Sequence, residues 1–92
     1  MRSPWIVSYD IADERRLRRV ARICSHYGER VQFSVFVCHL DRMLLAKLQA
    51  DLLPIIHRDE DQVIFARLES LDAQHLSSIG KRLSLTQRIV II

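Results

Sequence analysis

Glycine, proline, lysine and cysteine are scarce in this 92-residue sequence, at two residues each, and the shortages exclude whole classes of function. Gly28 and Gly80 stand too far apart to build a glycine-rich phosphate loop, and there is no Gly-x-Ser-x-Gly elbow. Cys24 and Cys38 form neither a Cys-x-x-Cys pair nor a metal-ligand spacing. Each sits inside an apolar pattern, so reduced, buried thiols are expected. His26, His39, His57 and His75 lack a spacing such as His-x-x-x-His, which argues against zinc, and His39 reads as a strand-end surface residue rather than a general base. No apolar run approaches the roughly 18 residues of a membrane span. Met1 to Ser8 has no signal-peptide pattern, so a cytoplasmic protein without membrane contact is expected. Repeats, low-complexity stretches and linkers are absent as well, which predicts one domain over residues 1–92.

What the sequence does contain is apolar residues, at 49%, and arginine. The apolar content is enough for one core, but a domain of this size buries a modest share of its surface, so a homo-oligomer is expected. The net charge of +3 conceals an asymmetry: residues 1–42 carry eight basic and five acidic side chains, and residues 43–92 carry six of each. Twelve of the basic residues are Arg and two are Lys. The planar guanidinium fork matches phosphate oxygens better than an ammonium does, which makes nucleic acid a reasonable partner.

Pro4 to Ile11 (PWIVSYDI) is β-branched and aromatic without a helical period, and predicts a strand ending near Asp10. Asp13 offers a helix cap. Leu17, Val20, Ala21, Cys24 and Tyr27 then recur at helical spacing over Glu14 to Tyr27, with Gly28 as a left-handed stop. Val31 to Leu40 is long for one strand, so a break near Ser34 is expected. Asp41 caps a second helix with Leu44, Leu45, Leu48 and Leu52 on its core face, and Pro54 marks its last turn. After a polar, acidic loop from His57 to Asp61, Gln62 to Leu68 predicts a further strand, and Ile89 to Ile92 an apolar strand after a weaker tail from Asp72 to Thr86. This order predicts an α+β, ferredoxin-like βαββαβ sandwich with both helices on one sheet face and an extra C-terminal strand at about 87–92. The opposite face and the terminal strand both need cover, for which a second copy of the chain is the simplest source.

Asp10, at the end of the first strand, can bind Mg²⁺, which takes one or two carboxylates and keeps several waters. Two copies related by a two-fold axis could share one metal between their Asp10 side chains and so polarise a phosphodiester or activate a water. Residue chemistry alone favours a plain capping role, since structural carboxylates outnumber catalytic ones. Arg15, Arg16, Arg18, Arg19 and Arg22 place five arginines in eight residues off the apolar stripe. They fit either a phosphate-binding surface or a solvated face with pairs such as Glu14 and Arg18. Gln32 and Ser34 lie at the strand break, where polar side chains satisfy backbone groups or face a ligand. Trp5, Phe33, Phe36 and Phe65 fall in strand patterns and are expected in the core rather than as base-stacking platforms.

Val7-Ser8-Tyr9-Asp10-Ile11 with Asp13 and the arginine-rich helix, followed by Gly28-Glu29-Arg30-Val31-Gln32-Phe33-Ser34-Val35-Phe36, closely resembles the small CRISPR-associated adaptation nuclease, the second Cas protein. The match covers most of the first 70 residues. The resemblance implies a ferredoxin-like homodimer whose C-terminal strands complete the partner's sheet. It implies a divalent metal, usually Mg²⁺, at Asp10 near the dimer axis, with Tyr9, Ser34 and Phe36 matching motif residues around it. It further implies a role in spacer acquisition, with the dimer bridging CRISPR integrase dimers and holding duplex DNA on basic helices, and metal-dependent endonuclease activity on RNA or double-stranded DNA in some members. One departure stands out: Val37-Cys38-His39 follows Phe36 where relatives often carry an acidic residue. Two other functions fit the residues, a purely structural adaptor of the integration complex and a ferredoxin-like ribonuclease outside CRISPR.

Overall fold

The computed structural model describes residues 1–69, 77–80 and 90–91. Its central strand, β1 (Ser3–Asp10), leads into helix α1 (Glu14–Ser25), the hairpin strands β2 (Gly28–Gln32) and β3 (Val35–Leu40), helix α2 (Arg42–Leu52) and strand β4 (Gln62–Arg67). The four strands form one antiparallel sheet in the order β2-β3-β1-β4. Two further short strands, β5 (Ser77–Ser78) and β6 (Val90–Ile91), pair parallel to each other. Most of the terminal strand expected at 87–92, and of the tail expected from Asp72 to Thr86, lies outside the described residues.

Strand alternation sends Val7 and Tyr9 of β1 and Phe36, Cys38 and Leu40 of β3 to the same sheet face, where register pairs Val7 with Phe36 and Trp5 with Cys38. Val20 and Cys24 of α1 and Leu48 and Leu52 of α2 close over that face, and together these residues make the core. Both helices start where a cap was expected: Asp13 accepts from Arg16 N–H at 2.9 Å and Asp41 from Leu44 N–H at 2.8 Å, each satisfying a donor that the first turn leaves open. The Tyr27 hydroxyl donates to Asp51 and ties the end of α1 to α2. Both thiols are free and buried. Burial pushes Cys24 up to about 12 and Cys38 to about 11.

Two expectations are corrected. Gly28 is not a left-handed stop, since the only described residue with positive φ is Gly80. Helix α1 ends instead at Ser25 with His26 as its cap, and Gly28 opens β2. Glycine is required there by close approach: a Cβ would lie 2.6 Å from Cys38 Sγ and would strike the Val37 carbonyl oxygen. Phe33 is not core. The chain breaks where expected, but Phe33 and Ser34 form a two-residue turn at the hairpin tip, outside the strand alternation, and Phe33 is 73% exposed. Phe36 is buried, while Trp5 and Phe65 pack against the core as expected.

Candidate functional site

Asp10 is the last residue of β1 and is exposed, on the face opposite Tyr9. It is not the cap of α1, because Asp13 fills that position. The connection that follows Asp10 is fixed by a residue the sequence did not flag. Asp61, in the loop before β4, accepts from Ala12 N–H at 2.9 Å, from His57 N–H at 2.8 Å and from Arg16 Nε at 2.8 Å. The Arg16 hydrogen bond, followed by the two backbone donors, holds the Asp61 carboxyl well below the usual carboxylate range despite its desolvation.

Arg16 is thereby set apart from its neighbours. Its guanidinium also reaches Glu60 at 3.0 Å, and its side chain keeps only 23% of its surface. Arg16 stands four residues before Val20 and eight before Cys24, both buried, so the helix turns it toward the sheet rather than toward solvent. That spacing was the available sequence signal. Arg15, Arg18, Arg19 and Arg22 recur at i, i+3, i+4 and i+7, a single exposed stripe. The Glu14 and Arg18 pair does not form, whereas Arg16 pairs with both Glu60 and Asp61.

Beside this stripe, Arg18, Arg22 and Arg30 line a shallow groove of about 370 Å³ between α1 and β2, with Phe36 at its floor. Arg30 lies 5.3 Å from the centroid of the Phe36 ring and 5.9 Å from that of Phe33. Phe36 in turn stacks on Tyr9 at 6.2 Å. Burial raises the Tyr9 phenol above its ordinary value, with Arg30 acting in the opposite sense. The Tyr9 hydroxyl donates to the Phe33 carbonyl at 3.4 Å, and Tyr9 N–H to the Ser34 carbonyl at 3.1 Å. The structure therefore brings Tyr9, Ser34 and Phe36 to the end of the sheet where β1 delivers Asp10. Gln32 is exposed in the same hairpin.

The family described as CRISPR associated protein Cas2 matches residues 3–75. The chain belongs to the Cas2 family. It is 37% identical over 83 residues to a CRISPR-associated endoribonuclease Cas2 of Thermodesulfovibrio yellowstonii, covering 90% of this chain and 91% of that protein. It is 43% identical over 82 residues to a protein of the same description from Nitratidesulfovibrio vulgaris, covering 84% and 80%. Among solved structures, Streptococcus pyogenes Cas2 superposes with a TM-score of 0.66 at 36% identity, over 71% of this chain and 84% of that one. A hypothetical protein of Thermus thermophilus superposes with a TM-score of 0.75 at 33% identity, over 76% and 85%. The α+β architecture, a four-stranded antiparallel sheet with two helices, is thus similar to that of the solved Streptococcus pyogenes Cas2.

Among the described residues of one chain, no group of three or more His, Cys, Asp or Glu side chains could hold a metal ion. An exposed carboxylate is a hard oxygen donor and suits Mg²⁺, which retains most of its waters, so Asp10 fits that ion as a single ligand. No helix among the described residues is long and apolar enough to cross a membrane.

Proposed function

We propose that this Cas2 chain is a ferredoxin-like protomer, one domain over residues 1–92, of a homodimeric CRISPR adaptation protein. The dimer binds RNA or double-stranded DNA, bridges integrase dimers and cleaves phosphodiester bonds as a Mg²⁺-dependent endonuclease. The observation that carries this reading is the exposed Asp10 at the end of β1, beside a helix whose exposed face is a row of four arginines. The names of the relatives, endoribonuclease or endonuclease, agree with it.

Asp10 of each protomer would hold the metal, which supplies charge neutralisation at the scissile phosphate and an acidified water when bound. One carboxylate is a sparse ligand set, and a two-fold axis would double it. Support for the dimer comes from the sheet face opposite the helices. On that face Val37 is buried within the chain, Ile6 is half-buried, and Ile64 keeps 50% of its surface exposed. Among the described residues no strand pairs with the outer edge of β4, which gives the C-terminal strand of a partner a place to pair. Arg15, Arg18, Arg19 and Arg22 would contact phosphates, while Arg16, engaged by Asp61 and Glu60, anchors the helix that presents them.

The test is Asp10→Ala in rigorously purified protein. Cleavage of RNA and duplex DNA should be lost and should also vanish in wild-type protein on chelation with EDTA. Duplex binding and co-assembly with the integrase should survive, since Asp10 is exposed and outside the core. Undiminished cleavage by the variant would remove the catalytic reading and leave the adaptor.

A further inference from the structure

Phe33 is the large aromatic side chain that the fold leaves in solvent, and it does not stand alone. Tyr9, Phe36, Arg30 and Phe33 form a column that starts in the core and ends at the surface: the Tyr9 and Phe36 rings are 6.2 Å apart and inclined by 27°, and Arg30 lies within 5.3 Å of Phe36 and 5.9 Å of Phe33. Tyr9 and Phe36 are buried, so the base of the column is fixed, and the Tyr9 hydroxyl holds the Phe33 carbonyl. With 73% of its surface open, Phe33 has room for one more flat group. Arg30 also lines the basic groove with Arg18 and Arg22, so a cationic surface for phosphates runs directly into an exposed ring.

We propose that Phe33 is a stacking platform for an unpaired nucleobase of a strand bound in the adjoining groove. The inference rests on the nucleic-acid reading above and deepens it by assigning the side chain that meets a base. A phosphate chain in the Arg18, Arg22 and Arg30 groove leaves its base beside Phe33, and any base supplies a π face. Bases inside a duplex are already stacked on each other and offer no face to the ring. Arg30, held between two rings, stays placed for the adjoining phosphate.

The experiment measures equilibrium binding of single-stranded RNA and of a blunt DNA duplex in EDTA, where nothing is cleaved. Phe33→Ala should weaken the single strand roughly ten- to hundredfold and leave the duplex unchanged. Phe33→Trp should bind at least as well as wild type, and Phe33→Leu, apolar but without a π face, should fall with the alanine variant. An RNA carrying 2-aminopurine should lose fluorescence on binding wild type and keep it with Phe33→Ala. Unchanged single-strand affinity in Phe33→Ala, or wild-type affinity in Phe33→Leu, overturns the platform. So does a change in sedimentation of Phe33→Ala without RNA, which would make the ring a contact between copies. If Phe33→Ala has no effect while wild type still binds and cleaves RNA, the platform alone fails. If wild type binds neither nucleic acid, the nucleic-acid reading fails with it.

Discussion

Asp61 Oδ2 accepts the Nε–H of Arg16 at 2.8 Å, joining residues 45 positions apart, and the other carboxylate oxygen holds Ala12 N–H two residues beyond Asp10. One carboxylate thus fixes both the start of the arginine helix and the exit of the strand that carries the candidate metal ligand.

The Asp61 carboxyl is depressed in the folded protein, so the unfolded chain takes up that proton first as the pH falls. The clamp's contribution should be complete above the ordinary value near 3.8 and lost progressively below it, as the pH descends toward the folded value. Urea denaturation across acid pH should show wild type losing stability in this range, and Asp61→Asn should be less stable at neutral pH with a flatter acid limb. An acid limb as steep in Asp61→Asn as in wild type would assign the titration to another group.

The two kinds of arginine on α1 should separate experimentally. Replacing Arg19 and Arg22 together by Ala should lower the slope of log affinity against log salt by about two, one for each phosphate that the variant no longer neutralises, with little change in melting. Arg16→Ala should lower the melting temperature and leave the salt slope near wild type, because its guanidinium already serves Asp61 and Glu60.

Gly28→Ala should destabilise the fold by about 1–3 kcal/mol, as overpacked sites do. The added methyl meets Val37 and Cys38 backbone atoms as well as Cys38 Sγ, and backbone cannot swing aside. Chemical denaturation measures the loss. A companion Gly80→Ala, with no described residue within 4 Å of its Cβ but a φ of +99°, tests backbone conformation.

Cys24 and Cys38, pushed up to about 12 and 11 by burial, carry almost no thiolate near neutrality. Ellman's reagent at about pH 8 should leave both unmodified in the native protein and titrate both after denaturation. Fast native labelling of either would show that its strand or helix opens readily.

Much of this protein was determined by residues close together in the chain. Asp13 and Asp41 capped their helices because a cap acts on a backbone donor three residues away. The stripe from Leu17 to Cys24 identified the buried face of α1, and the break at Ser34 divided β2 from β3. The Tyr-Asp pair and the Gln-x-Ser-Val-Phe run marked the family. Only the tertiary structure decided which arginine is a clamp, why Gly28 must be glycine and which phenylalanine is left in solvent. Arg16 depends on Asp61, Gly28 on the Cys38 it faces across the hairpin, and Phe33 on a turn that ejects it from the alternation its neighbours obey. Periodicity reports how a side chain leaves its own element. Whether it meets a carboxylate, a backbone or water is set by elements far along the chain, which is why the Asp10 end of the sheet was visible in sequence and its supports were not.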